Sequence, residues 1–200
     1  MISEKRIQTE KRILEAVHEI IANYGFGALG VNRVSKVAIV PKPLIYRYFG
    51  SLEALVRTYV SKIDYWTNHM QGEEFIISSQ RTELKEKMNF ILKQGFNDFF
   101  DNYSFQSIIL HSITERSKFM RDLSDRREKY NEPIFKNLED LFNKDKIDVR
   151  AISAILMSAT YFLVLHARNN GEFCGIDIQT PTGRERITNA ISSIVSLMFQ

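Results

Sequence analysis

The sequence contains few of the residues that stabilise secreted proteins or bind metals. It has one cysteine, Cys174, and four histidines in 200 residues, so no intramolecular disulfide can form. The N-terminal segment MISEKRIQTEKR is charged where a secretory signal needs an apolar stretch. These absences predict a cytoplasmic protein.

Long apolar runs are also scarce, and only one is a candidate membrane span. Residues 151–167, AISAILMSATYFLVLHA, carry no formal charge and come close to the minimum length for a bilayer core of about 30 Å. Ser153, Ser158, Thr160 and His166 interrupt this run, and no second run accompanies it. We predict a buried helix of a soluble protein and no membrane partner, with a span as the competing interpretation.

Motifs for catalysis are missing as well. The sequence has no Gly-rich phosphate loop and no cluster of Cys and His residues. Glu15 and His18 form a Glu-x-x-His pair, but carboxylate-bridged iron sites in helical bundles need a second copy, and none is present. We therefore predict no metal, no cofactor and no enzymatic activity.

Charge is distributed unevenly along the chain. The formal net charge is +3, yet residues 1–66 hold ten basic and six acidic side chains, and the remainder is close to neutral. A basic front section suggests a module that binds a polyanion, although an ordinary solvated surface would look the same.

Hydrophobic residues recur at helical spacing along almost the whole chain, and no long strand-like alternation occurs. Gly25 follows the first stripe where a C-terminal cap belongs, and Ser51 precedes another stripe as an N-terminal cap. Residues 169–183 are rich in Gly and Pro and predict a loop. The pattern predicts an all-α fold of about nine helices, divided near residue 50. Its helices are expected at about 13–24, 31–38, 42–49, 51–70, 82–101, 105–115, 117–143, 148–168 and 184–199.

Two short helices at 31–38 and 42–49 are joined by only three residues, which is the plan of a helix-turn-helix. Pro41 and Pro43 mark the start of the second of these helices, since the first turn has no intrahelical acceptor for an N–H. Helical spacing puts Ile45 on the core side. The opposite arc, which would face DNA, carries Lys42, Tyr46 and Arg47.

The segments KRILEAVHEIIANYGF and VNRVSKVAIVPKPLIYRYFGSLEAL resemble the N-terminal domain of the TetR/AcrR family of transcriptional regulators, over about residues 9–60. The resemblance implies a DNA-binding domain at 1–50, a ligand-binding and dimerisation domain at 51–200, and a small-molecule effector. It also implies a homodimer on double-stranded DNA with a pseudo-palindromic operator. The matching residues include Arg12, Ile13, Leu14, Ala16, Gly25, Phe26, Ala38, Val40, Ile45, Tyr46, Tyr48, Phe49, Ser51, Glu53 and Leu55.

The expected DNA contacts are Lys42, Tyr46, Arg47, Tyr48, Arg33 and Lys36. The competing interpretation is that the tyrosines pack and Arg47 is only solvated. Several positions depart from the family pattern, and hydroxyls that would bind phosphate are missing as a result. Either the operator contact is unusual or DNA affinity is weakened. The departures are Gly30, Ile39, Pro41, Pro43, Leu44 and Leu52.

Aromatic side chains are frequent in residues 60–142 and permit an apolar ligand pocket between helices, where the family binds its inducers. Arg127, His111 and His166 interrupt apolar stripes, so each either makes a structural contact or orients a ligand. Pro133 is expected to bend or break its helix. The candidate ligand-binding residues are Trp66, Phe96, Phe99, Tyr103, His111, Arg127, Tyr130 and Phe162.

The run at 151–167 is apolar on every face, and a single small chain seldom covers such a helix. We predict that a partner subunit covers it, through a homodimer interface built from 148–168 and 184–199. The predicted function is a ligand-responsive transcriptional regulator that leaves its operator when a small apolar or amphipathic molecule binds. The alternative is a ligand- or protein-binding protein of the same fold with weak or lost DNA binding.

Overall fold

The computed structural model of the protein describes residues 4–63, 81–116, 118–142 and 147–200, and for Tyr130 only the backbone. Within these ranges the chain forms nine α-helices, one short 3-10 helix at Phe26–Ala28 and no strand. The helices are α1 (Glu4–Tyr24), α2 (Val31–Ala38), α3 (Lys42–Phe49), α4 (Leu52–Ile63), α5 (Arg81–Asp101), α6 (Tyr103–Thr114), α7 (Lys118–Phe142), α8 (Val149–Asn170) and α9 (Pro181–Met198).

The predicted all-α fold is confirmed, and α2 and α3 begin and end at the predicted residues. The predicted cap of α4 is also present, since the Ala54 N–H donates to Ser51 Oγ at 3.0 Å. Residues 64–70 of the predicted fourth helix lie outside the described residues. Pro133 was expected to bend or break its helix, and the break does not occur, because α7 continues through it.

The described chain forms two compact units. The first consists of Met1–Asp64 with Tyr103–Ser124, which adds α6 and the start of α7 to the N-terminal helices. Its core is a continuous cluster of apolar side chains that includes Ile13, Val17, Ile45, Leu55 and Ile108. Burial of such side chains contributes roughly 1.5–3 kcal/mol each, which stabilises helices too short to persist alone.

The second unit consists of Tyr65–Asn102 with Asp125–Gln200. Its central helix is α5, which packs against α8 and α9. Phe96 and Phe99 of α5 are fully buried, and the Phe99 ring lies 4.9 Å from that of Tyr161 on α8. At the other end, the rings of Phe142 and Phe199 meet edge to face with centroids 4.9 Å apart. Aromatic pairs therefore join α5 to α8, and α7 to the end of α9.

Helix α8 is long and apolar enough to cross a bilayer by length and composition alone. Only 28% of its most apolar window is buried, so the described part of one chain leaves most of this window uncovered. Ile155 and Phe162 are exposed on it, as are Ile194 and Leu197 on α9. Both helices consequently present uncovered apolar side chains.

The connection between α8 and α9 is an ordered turn. Thr180 caps α9 by accepting a hydrogen bond from the Gly183 N–H at 3.0 Å, and its own N–H donates to the Asp177 carbonyl at 3.2 Å. A Cβ atom at Gly183 would overlap the Asp177 carbonyl oxygen. Only glycine therefore allows this close approach of the turn to α9.

Candidate nucleic-acid interface and ligand cavity

The turn between α2 and α3 is held by Ser35, whose hydroxyl donates to the Val40 carbonyl at 2.7 Å while its carbonyl accepts from the Val40 N–H at 3.1 Å. Ile39 takes a left-handed conformation there, with φ 52° and ψ 47°, and is 83% exposed. This conformation costs a residue other than glycine roughly 1–2 kcal/mol. The turn is therefore strained at a β-branched residue.

Helix α3 begins without a side-chain cap. Pro41 is its N-cap residue, and both Leu44 and Ile45 donate their N–H groups to the Pro41 carbonyl, at 2.9 and 3.4 Å. Because proline has no N–H, Lys42 is the only residue of 41–43 that has a backbone donor. The start of α3 thus offers fewer backbone donors for phosphate than an ordinary helix N-terminus.

The two sides of α3 differ as the sequence predicts. Ile45 is fully buried in the core of the first unit, and Phe49 is half-buried against it. Lys42, Tyr46 and Arg47 are exposed. The buried face of α3 therefore fixes the orientation of the helix, and its opposite side presents two cations and a phenol to solvent.

Tyr48 is half-buried and lies beneath two guanidinium groups. Arg47 of the same helix lies 5.4 Å from the ring centroid, and Arg6 of α1 lies 5.0 Å from it. The Arg6 Nε also donates to Glu10 Oε1 at 2.7 Å. Arg6 is a basic residue beside α3 that the sequence did not indicate. It lies in the first turn of α1, and that helix begins earlier than predicted.

The two other predicted DNA contacts, Arg33 and Lys36, belong to α2. Arg33 donates from Nη1 to the Ala28 carbonyl at 3.0 Å, and its guanidinium lies 5.3 Å from the centroid of Tyr24. Lys36 is exposed. The structure thus groups Lys42, Tyr46, Arg47 and Tyr48 on α3 and leaves the other two on α2.

A part-buried polar contact joins α1, α4 and α6 in the first unit. His18 Nδ1 lies 2.8 Å from Tyr59 Oη and 3.3 Å from Ser104 Oγ. Tyr59 is buried, which raises the pKa of its hydroxyl above the usual value of 10.0, while a hydrogen bond with Ser104 opposes that effect. His18 of the Glu-x-x-His pair therefore serves a contact between helices. Among the described residues no group of three metal-ligating side chains occurs.

Helix α6 also contacts the turn after α1. The Phe26 N–H donates to Ser107 Oγ at 2.9 Å, and the Phe26 ring lies 4.6 Å from that of His111. His111, a predicted ligand residue, thus packs on the N-terminal helices of the first unit.

The second unit contains a cavity between α5, α7 and α8. Its volume is about 50 Å³. Its wall is almost entirely apolar, but Asn131 Oδ1 is buried there and accepts no hydrogen bond. The lining residues are Leu84, Met88, Ile91, Leu92, Asn131, Ile134, Phe135, Leu138, Ser153 and Met157.

The predicted ligand residues are spread over the described chain, and none of those with described side chains lines this cavity. Phe96 and Phe99 are buried, whereas Tyr103 is exposed. Arg127 lies one turn before Asn131 on α7, with Nη2 buried. Phe162 stacks on His166 at 5.4 Å and is half-exposed.

Trp66 and the side chain of Tyr130 lie outside the described residues. Aromatic content did not indicate the cavity residues, because Phe135 is the one aromatic side chain among the described lining. Asn131, Ile134, Phe135 and Leu138 recur at helical spacing on α7, which was the available signal.

Comparison with known proteins agrees with this architecture. Residues 13–59 match the family described as bacterial regulatory proteins, tetR family. Comparison of the sequence with curated proteins finds no significant match. The resemblance of the N-terminal helices to TetR-family regulators is confirmed.

Solved structures similar to this chain include two named for the regulation of fatty acid metabolism or degradation and one in complex with stearoyl-CoA. A Clostridium perfringens protein provisionally assigned as a fatty acid metabolism regulator is 19% identical, with a TM-score of 0.63 over 92% of this chain and 96% of the other. FadR of Bacillus halodurans, a fatty acid degradation regulator, is 15% identical, with a TM-score of 0.64 over 96% and 94%. FadR of Bacillus subtilis, in complex with stearoyl-CoA, is 15% identical, with a TM-score of 0.64 over 92% and 96%. At these identities the likeness establishes the fold alone.

Proposed function

We propose that this chain, a DNA-binding transcriptional regulator of the TetR family, is a repressor that a small apolar or amphipathic molecule releases from its operator. The proposal divides the chain into a DNA-binding domain at 1–50 and a ligand-binding and dimerisation domain at 51–200. It places the protein in the cytoplasm, with DNA and an effector as its partners.

The observation that carries the proposal is the exposed side of α3. Lys42 and Arg47 can neutralise phosphates, which supplies affinity that depends on salt but not on base sequence. Tyr46 and Arg47 also bear hydrogen-bonding groups that can reach base edges in the major groove. Arg6, Tyr48, Arg33 and Lys36 would contribute at the margins of this contact.

A homodimer would supply a second copy of α3 for contact with DNA. The uncovered apolar side chains of α8 and α9 support an interface through 148–168 and 184–199, because a partner subunit would remove them from water. Two copies of α3 at a spacing of about 34–36 Å would enter successive major grooves of a pseudo-palindromic operator.

Ligand response is supported by the cavity of the second unit. Helix α7 lines that cavity with Ile134 and Leu138, and the same helix contributes Met120 to the core of the first unit. A ligand that favours one position of α7 would shift the balance between DNA-binding and released conformations, by its differential affinity for the two.

The test is binding of the full chain to the promoter DNA adjoining its own gene, followed by fluorescence polarisation as salt increases. The double variant Lys42→Ala/Arg47→Ala should weaken binding and reduce the salt slope by about 2. The matched control Lys129→Ala/Lys136→Ala removes two exposed cations from the second unit and should bind as the native chain does. Equal binding by both double variants would contradict the proposal.

One observation favours a second candidate, a ligand- or protein-binding protein with weak DNA affinity. Neither α2 nor α3 has a side-chain cap, since Gly30 and Pro41 occupy the N-cap positions, so phosphate-binding hydroxyls are absent there. This candidate predicts weak, non-specific DNA binding at low salt that the Lys42 and Arg47 substitutions leave unchanged.

A further inference from the structure

The exposed side of α3 carries an apolar residue beside its polar ones. Pro43 precedes Tyr46 by three residues and Arg47 by four, a spacing that puts the three side chains on one face of a helix. All three are exposed, whereas Ile45, on the opposite face, is fully buried. Pro43 therefore lies on the surface that the proposed function turns toward DNA.

Pro43 has no group that can donate a hydrogen bond to a base. Its side chain is a hydrocarbon ring, and its nitrogen carries no hydrogen. Its carbonyl oxygen points along the helix axis, as the acceptor for the N–H four residues later. The first residues of the recognition helix contact base edges in a helix-turn-helix, and Pro43 is the second residue of α3. A base opposite Pro43 can therefore be distinguished only by apolar contact.

We infer that Pro43 is a specificity-determining residue that contacts the C5 methyl group of a thymine in each half-site of the operator. The inference rests on the proposed function, since it names the base that the exposed side of α3 selects. Thymine is the one base that presents an apolar group in the major groove. Contact with proline removes that methyl group from water, which favours binding. The polar edge of another base would lose its water there without gaining a partner, which disfavours binding.

The charged residues of α3 have a different part in this contact. Lys42 and Arg47 supply attraction to phosphate, which is the same for any duplex and weakens as salt increases. Pro43 carries no charge, so its contribution does not depend on counterion release. Dependence on the methyl group and dependence on salt therefore separate the inferred contact from general attraction to DNA.

Uracil tests the methyl group directly, because it keeps the pairing and the O4 acceptor of thymine and lacks only the C5 methyl. The full chain would be titrated by fluorescence polarisation with the promoter fragment adjoining its own gene, and with the same fragment synthesised with deoxyuridine in place of thymidine. The native chain should bind the uracil fragment about four-fold more weakly for each methyl group that Pro43 buries. The salt slope should be the same for both fragments, because the phosphates are unchanged.

Pro43→Gly removes the side chain, so this variant should bind the two fragments equally. Pro181→Gly is the matched control, because Pro181 is likewise an exposed proline in the first turn of a helix but belongs to α9. That variant should keep the preference for thymine. The comparison of the two fragments with the native chain stands even if Pro43→Gly fails to fold.

Equal binding of the thymine and uracil fragments by the native chain, or an undiminished preference in Pro43→Gly, would overturn the inference. If that binding still depends on salt and on Lys42 and Arg47, the proposed function stands and only the contact at Pro43 is refuted. If neither fragment binds in a salt-dependent way, the proposed function fails and the inference fails with it.

Discussion

His18 Nδ1 lies 2.8 Å from the buried hydroxyl of Tyr59, and the two residues are 41 positions apart in the sequence. His18 belongs to α1 and Tyr59 to α4, and Ser104 of α6 lies within 3.3 Å of the same ring nitrogen. A single polar contact therefore joins three helices of the first unit.

Tyr59→Phe should lower the free energy of unfolding by about 1 kcal/mol at neutral pH, because it removes one buried hydrogen bond and leaves the Nδ1 of His18 without that partner. Urea unfolding followed by circular dichroism would measure the change. Tyr24→Phe is the control, since the Tyr24 side chain is exposed, and it should have little effect.

The buried hydroxyl of Tyr59 should also make the stability of the protein depend on pH. Burial raises the pKa of Tyr59, so the unfolded chain loses this proton first, near pH 10, while the folded chain keeps it. The stability that Tyr59 supplies is present below its unfolded pKa and is lost as the pH rises through the folded one. Tyr59→Phe should therefore show a smaller fall in unfolding free energy above pH 10, and parallel curves for the two proteins would contradict this.

Ile39→Gly should stabilise the protein by about 0.5–1 kcal/mol, because glycine removes the strain of the left-handed conformation. The greater conformational entropy of glycine in the unfolded chain offsets part of this gain. Thermal unfolding would measure the shift. Ile39→Ala is the control, as it keeps a Cβ atom in the same conformation and should gain much less. An equal gain from alanine would indicate that the exposed side chain, and not the backbone, causes the effect.

Adjacent residues of α3 should behave in opposite ways. Ile45→Ala should destabilise the chain by about 2–5 kcal/mol, because Ile45 is fully buried in the core of the first unit. Tyr46→Ala should change stability by less than about 0.5 kcal/mol and weaken DNA binding instead. Denaturant curves and DNA polarisation on both variants would show whether the two faces are separate.

Ile155→Glu should convert the chain to a monomer, since it would bury an unpaired charge in the proposed interface. Sedimentation velocity at micromolar concentration would measure the association state. Phe90→Glu is the matched control on α5, because Phe90 is 65% exposed and Ile155 is 66% exposed. If both variants stay dimeric, the interface does not include this part of α8.

Gly183→Ala should destabilise the second unit by about 1–3 kcal/mol, because the new methyl group would overlap the Asp177 carbonyl and force the backbone to shift. Differential scanning calorimetry would detect the lower melting temperature. Gly27→Ala is the control, because a Cβ atom at Gly27 would have no atom within 4 Å, and it should leave the melting temperature nearly unchanged.

The sequence alone determined the elements whose signals are local. Pro41 and Pro43 mark the start of α3, and the spacing of Ile45 from Lys42 and Arg47 settles which side of that helix is buried. The helical period likewise indicates α8 and its uncovered apolar surface. Such features depend on residues within a few turns of each other, so propensity and periodicity describe them.

Only the tertiary structure decided which distant residues meet. Arg6 lies over Tyr48, Ser104 joins His18 across 86 positions, and the carbonyl oxygen of Asn131 is buried without a hydrogen-bond partner. No helical period encodes these contacts, because they arise from how separate helices pack, and packing is set by the shapes of many side chains together. Packing between separate helices also places α6 in the first unit.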